Sequence, residues 1–340
     1  MLYWSGMKKT LSFIAAAVVL LGAGCSSSPQ TLARPPLPPA RIESTSPTAV
    51  QATEPSVTSE AYVPPSGADA SSGVETPGRR RIMTATSADG LSFTKTNKIV
   101  SDQANVPDFA MKNDGTLYLY FSGWTVGTKN NAMGVAISKD QGTTWSFHNV
   151  EFSGSSSMAH SGDPDIVLLD DGTFRLYSTS GMPGTRTTAI FYSEGTDGIR
   201  FATKAVAFQS DPPALDSNTY LVGSTWHMMT LSGQTTQSYE ATSTDGKAFT
   251  ELMRKQYAID GKEMVMSNVI QIDGGYRMYG FTHSDIRSFS SKDGTAWTAD
   301  PGVRLALDAS SSLESEYVKD PSVIRLNDGT YLMAYATQIP

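Results

Sequence analysis

The phrase SGDPDIVLLDDGTFRLYSTSG at residues 161–181 returns as VKDPSVIRLNDGTYLMAYATQ at residues 318–338 of a 340-residue chain. Each copy opens on Asp-Pro, runs through a short apolar strand, turns at Asp-Gly and returns through aromatic and apolar residues. That is a β-hairpin, with glycine supplying the positive φ of the turn. A lone hairpin is not stable in water, so a repeated one implies an array that buries its faces between copies.

Three further copies complete the set: NVPDFAMKNDGTLYLYFSGW (105–124), LDSNTYLVGSTWHMMTLSG (215–233) and MSNVIQIDGGYRMYGFTHS (266–284), at spacings of about 50 to 57 residues. Between them runs a second phrase, written SADGLSF (87–93), SKDQGTTW (138–145), TDGIRF (196–201), STDGKAF (243–249) and SKDGTAW (291–297). These read as hairpins of the Asp-box type. The Asp accepts from turn N–H groups, Gly takes the positive φ, and the aromatic packs between neighbouring sheets. Two hairpins per repeat make four strands, which is one propeller blade. The expected fold is an all-β, five-bladed β-propeller over residues 81–340. The first phrase of the second kind lacks an inner hairpin, and the last inner hairpin lacks an outer one. The two halves are expected to join, with C-terminal strands inside and N-terminal strands outside, so that the ring has no open edge. Such a ring is expected as a monomer.

The N-terminal part has another composition. MKKTLSFIAAAVVLLGAGC (7–25) pairs Lys8 and Lys9 with a short apolar run and the chain's one cysteine. It reads as an export signal, too short to span a membrane. The small residues before Cys25 resemble a bacterial lipobox, which implies lipidation of Cys25 and a membrane lipoprotein of the cell envelope or outer membrane; secretion with cleavage nearby is the alternative. Residues 26–80 hold ten of the 18 prolines among Ser, Thr and Ala, and read as a disordered tether. Cys25→Ser is expected to move the protein from the membrane to the soluble fraction; equal membrane association of variant and parent would reject the anchor.

The net charge of −7, with no basic cluster, argues against nucleic acid as a partner. The four histidines stand singly, without metal-ligand spacing, and no nucleophile elbow or phosphate loop occurs. In a propeller the N-terminal ends of the innermost strands converge on the axis at one face. Those ends carry Val106-Pro107-Asp108, His160 with Asp163-Pro164-Asp165, Asp216-Ser217, Glu263 ahead of Met266-Ser267-Asn268, and Lys319-Asp320-Pro321. Loops on the same face add Trp124 and His283. Asp108, His160, Asp216, Trp124 and His283 are therefore candidate ligand-binding residues around an acidic pocket. No cofactor is required by this set, and a central metal ion such as calcium is left open.

DPDIVLLDDGTFRLY and KDPSVIRLNDGTYLMAY resemble blade signatures of the five-bladed propeller glycosidases of the arabinanase, xylosidase and invertase clan (family 43-like). The resemblance implies a carbohydrate substrate and three carboxyl groups: a general base, a general acid, and an Asp that adjusts the acid. Asp320 matches the base motif and Asp163 the adjusting Asp. Glu263 is nearest by position to the acid, although no Glu-Gly-Pro setting surrounds it, and the aligned first-blade position is Val106. Sialidases carry similar outer turns, but on six blades with a cluster of arginines. The chain thus reads as a surface-tethered glycoside hydrolase, or alternatively as a non-catalytic glycan- or protein-binding propeller. A Glu facing an Asp across the pocket would favour hydrolysis; aspartates and hydroxyls alone would favour binding. Asp before Pro also serves as a turn or a brace between blades, and Trp124 suits blade packing as well as sugar stacking.

Overall fold

The computed structural model describes residues 63–73, 76–125, 128–154, 161–185 and 187–340. The export signal, Cys25, residues 26–62 of the tether and His160 lie outside the described residues. No α-helix occurs among those described; a single 3-10 turn, Pro77–Arg79, precedes β1 (Arg80–Ser87) and β2 (Thr94–Asp102).

Five antiparallel sheets follow the repeat. Blade 1 is β3 (Ala104–Met111), β4 (Leu117–Thr125), β5 (Thr128–Ser138) and β6 (Ser146–Asn149). In blade 2 a short β7 (Glu151–Ser153) adds in parallel to the outer edge of β8 (Gly162–Leu168), β9 (Phe174–Gly181), β10 (Thr188–Gly195) and β11 (Arg200–Phe208). Blade 3 is β12 (Ala214–Val222), β13 (Thr225–Ser232), β14 (Ser238–Ser243) and β15 (Thr250–Lys255). Blade 4 carries β16 (Tyr257–Ile259) beside β17 (Lys262–Ile272), then β18 (Gly275–Phe281), β19 (Asp285–Ser291) and β20 (Thr298–Ala299), with β21 (Leu305–Ala306) also on β19. Blade 5 joins β22 (Ser315–Arg325) and β23 (Tyr331–Gln338) to β1 and β2, in the order β2-β1-β23-β22. Eight consecutive residues of β1 pair with β23, from Arg80 opposite Gln338 to Ser87 opposite Tyr331. The closure expected from the split repeat is present.

Contacts with the blades begin ahead of residue 81. Gly67 N–H donates to Asp102 Oδ2 at 2.6 Å, Gln103 Nε2 donates to the Gly67 carbonyl, and Pro77 and Gly78 are buried. The last part of the proline-rich segment is therefore held by backbone hydrogen bonds, which composition does not reveal.

Each seam between blades has its own apolar core. Ile82 and Leu332 of blade 5 meet Leu119 and Phe121 of blade 1, for example, and Met83 and Tyr335 meet Tyr279 and Ile286 of blade 4. The outer turns supply the next layer. Asp89 Oδ1 accepts from the N–H groups of Leu91 and Ser92, and Asp140, Asp197, Asp245 and Asp293 hold their turns alike. A tyrosine of the preceding blade donates to the carbonyl of the turn glycine at four seams: Tyr120 to Gly198, Tyr177 to Gly246, Tyr220 to Gly294 and Tyr279 to Gly90. At the fifth, a Cβ on Gly142 would meet Leu332 Cδ2 at 3.0 Å, so an apolar contact takes the place of the hydroxyl. The same tyrosines pack against the turn aromatics, Tyr279 on Phe93 and Tyr120 on Phe201 with centroids 6.1 Å apart in each pair. Such a pair contributes about 0.5–1.5 kcal/mol beyond area burial.

Candidate functional site

The innermost strands β3, β8, β12, β17 and β22 each carry a break in register, between Asn105 and Asp108, Gly162 and Asp165, Leu215 and Asn218, Met266 and Asn268, and Lys319 and Ser322. A bulge of this kind re-aims a side chain that the regular alternation would send elsewhere. Its cost is visible in the backbone. Val106, Asp163, Asp216 and Asp320 have φ of 48°, 54°, 49° and 49°. The left-handed region is uncommon for any residue with a Cβ and strained for a β-branched one, and such strain concentrates at functional sites.

Beyond the bulge, the third residue of each phrase reaches the next blade. Asp108 Oδ2 accepts from Ile166 N–H at 2.8 Å, Asp165 Oδ1 from Thr219 N–H at 3.1 Å, and Asn268 Oδ1 from Val323 N–H at 3.0 Å. Ser322 Oγ accepts from Phe109 N–H at 3.1 Å and donates to Asp108 Oδ1 at 2.8 Å. Only Asn218 Oδ1, at the seam of blades 3 and 4, makes no hydrogen bond among the described residues. This belt locks the inner strands in ring order, so Asp108 is a brace of the wall although it touches the axial cavity.

The first residue of each phrase faces the axis instead. A cavity of about 20 Å³ is lined there by Val106, Asp163, Asp216, Met266 and Asp320, with Ser217 and Ser267 between them. That is room for one water or one hydroxyl group. Asp163 N–H donates to Ser122 Oγ at 2.9 Å and Asp216 N–H to Thr179 Oγ1 at 3.2 Å, so each strand start is held by the preceding blade. Burial raises the pKa of both carboxyls. Asp216 is pushed well above the usual carboxylate range, first by burial and then by the charges of Asp163 and Asp320. The rise of Asp163 is opposed by hydrogen bonding with Thr179 and with Asp216. Lys319 Nζ lies 3.2 Å from Asp320 Oδ2.

The other candidates are placed elsewhere. Glu263 is exposed on the β16–β17 hairpin, where Thr236 Oγ1 donates to it at 2.5 Å; it does not line the cavity. Trp124 Nε1 donates to Ser101 Oγ at 2.6 Å, and its ring lies between Phe121 and Phe147 at 5.9 and 5.8 Å. It packs the seam of blades 5 and 1. His283 is exposed, and its carbonyl accepts from Val318 N–H at 3.3 Å. Among the described residues no three His, Cys, Asp or Glu side chains are arranged to hold a metal ion.

The buried wall carboxyls give the fold a pH dependence of definite sign. Burial pushes Asp108 up to about 8, helped by the charge of Asp165, and Asp165 itself to about 6, from an ordinary value of 3.8. The folded state thus keeps protons that the unfolded chain releases. The resulting stabilisation is fully present below about pH 4 and is lost as pH rises through 6 and then 8. Asp140 works in a separate window: turn hydrogen bonds hold it down to about 2, so its contribution is lost only as pH falls below 4. The melting temperature is expected to decline from pH 5 to pH 9, and Asp108→Asn to flatten much of that decline. An unchanged slope in this variant, followed by calorimetry, would mean that the wall carboxyls do not titrate with folding.

No family model matches the sequence, and no curated protein matches it. Solved structures do. A thermostable family-43 glycoside hydrolase superposes with a TM-score of 0.54 at 11% identity, over 69% of this chain and 88% of the other. A glycosyl hydrolase from Bacteroides ovatus gives 0.51 at 13%, over 71% and 85%. The endo-arabinase of Bacteroides thetaiotaomicron gives 0.50 at 15%, over 70% and 94%. At such identities the likeness is one of fold: this chain has the fold of the five-bladed propeller glycoside hydrolases.

Proposed function

We propose that the domain hydrolyses a glycosidic bond at its axial face, with Asp216 as proton donor, Asp163 as the group that keeps the donor protonated, and Asp320 as general base. One observation carries the reading: three aspartates from three blades line one cavity, where burial raises the pKa of two of them while the third stands in an ion pair with Lys319. Hydrolysis of a glycosidic bond needs one protonated and one ionised carboxyl flanking the bond, and that requirement is set by environment rather than by residue type. Asp216 therefore takes the part that Glu263 holds in the reading by sequence position. A plant-type or microbial glycan is the substrate class we propose; the propeller glycoside hydrolase fold supports a carbohydrate ligand. A terminal sugar would sit over the mouth, with a single hydroxyl reaching the 20 Å³ cavity. Lipid on Cys25 and the proline-rich segment would hold the domain at a bacterial membrane surface.

Binding without turnover is the second reading. It is favoured by the lining itself, which contains aspartates and hydroxyls but no glutamate among the described residues. A hydrolysis screen over aryl glycosides and oligosaccharides, run beside a glycan-binding array, separates the two. Release of reducing sugar by the parent protein supports hydrolysis; glycan capture with no product across the screen leaves binding in its place.

A further inference from the structure

Lys319 immediately precedes Asp320, and in a regular strand the two side chains would leave on opposite faces. The register break between Lys319 and Ser322 cancels that alternation and brings Nζ to 3.2 Å from Asp320 Oδ2. The ammonium also lies 5.6 Å from the centroid of the Tyr317 ring, over which the Arg80 guanidinium sits at 5.1 Å. The Lys319 side chain is only 18% exposed, so its charge acts in poorly screened surroundings.

We propose that Lys319 is a positioning residue of the axial site: it fixes the Asp320 carboxylate against the cavity wall and sets the net charge that the site offers a ligand. The charged groups lining the cavity are Asp163 on β8, Asp216 on β12, Asp320 on β22 and, at the wall, Asp108 on β3; Lys319 on β22 stands behind Asp320 as its ion-pair partner, and Arg80 on β1 lies over the Tyr317 ring. Lys319 is the cation that opposes the upward push on Asp163 and Asp216. Without it, three carboxyls would face a ligand with no compensating charge at the wall. Its consequence for turnover rests on the hydrolytic reading above; its action on the carboxyls does not.

The test is a carboxyl titration in the full chain carrying 13C at aspartate Cγ, with the axial signals assigned through Asp163→Asn and Asp216→Asn. In Lys319→Met and Lys319→Gln the titration of the Asp163–Asp216 pair is expected to move up by about one pH unit, the scale of losing one opposite charge at close range. Lys319→Arg keeps the charge and is expected to titrate near the parent. Where the parent hydrolyses a glycan, the pH–rate profile of the neutral variants moves in the same upward direction. Neutral variants that fold and titrate like the parent overturn the proposal, whatever their turnover. A titration that moves in a parent without hydrolytic activity upholds Lys319 and removes only the hydrolytic reading.

Discussion

Asp216→Asn is expected to lower turnover on natural glycans by about 100- to 10,000-fold, the range contributed by a positioned acid or base. Asparagine keeps the shape at the cavity wall but has no proton to transfer to the leaving oxygen. The loss should therefore be smallest for aryl glycosides whose leaving groups need no protonation, and the basic limb of the pH profile should disappear with the donor. Asp163→Asn acts one step removed. It removes a charge and a hydrogen-bond acceptor that hold the proton on Asp216, so the basic limb is expected to move to lower pH while substrate binding changes little. Asp320→Asn should suppress all leaving groups alike, because it removes the group that activates water. Glu263→Gln is the discriminating control: exposed on its hairpin, it should leave the profile near that of the parent. If Glu263→Gln instead loses poor leaving groups selectively while Asp216→Asn retains them, the donor is Glu263 and the axial assignment fails.

The uneven legibility of this site has a physical origin. Asp163 and Asp320 stand in Asp-Pro phrases whose alignment fixes them at strand starts, and the structure puts them at the axis. Asp216 stands in LDSNT, which lacks the proline, so its place was legible from repeat spacing but the upward push on its pKa was not. That property comes from burial against Asp163, a neighbour supplied by another blade. Glu263 shows the converse. It precedes the bulge at Met266 by three residues, and β16 pairs with the start of β17 and carries it away from the cavity. No periodicity in the sequence announces that extra hairpin. Regular alternation would place Lys319 opposite Asp320, and the register break reverses this. Trp124 at a hairpin end suits a sugar platform and a blade seam equally by residue type. Its bond to Ser101 and its neighbours Phe121 and Phe147 assign it to the seam.

The fold was more legible because its determinants are local. An Asp that caps its own turn and a Gly at positive φ act within a few residues, as at Asp89 and Gly90. The seams then follow from strand alternation, which sends Met83 and Ala85 one way and Ile82 the other. The order of the two phrases gave the closure. What stayed hidden is the belt of Asp108, Asp165, Asn268 and Ser322, because each makes its bond to a blade more than 50 residues away or to the opposite end of the chain.

The closure carries the largest expected structural effect. Removing residues 26–62 is expected to leave cooperative unfolding intact, because among the described residues the first hydrogen bond to the blades is made at Gly67. Removing residues 26–98 is expected to abolish it. That deletion takes β1 and most of β2, and with them Ile82, Met83 and Ala85, which are 0%, 1% and 0% exposed. Ile82 belongs to the core between blades 5 and 1, the other two to the core between blades 4 and 5, so two seams are opened at once. Truncating one large buried side chain alone costs about 2–5 kcal/mol. Losing both large ones with their strand approaches the whole stability of a typical domain, about 5–15 kcal/mol. The Arg81–Asp102 ion pair and the Lys95–Glu314 pair, which tie the N-terminal strands to each other and to the loop before β22, go as well or lose a partner. β23 would then present eight unpaired residues as an open edge, a template for aggregation. Calorimetry and light scattering on the two deletions decide the matter: a sharp transition and a monomeric particle for the longer deletion, comparable to those of the shorter one, would mean that β1 and β2 do not close the ring.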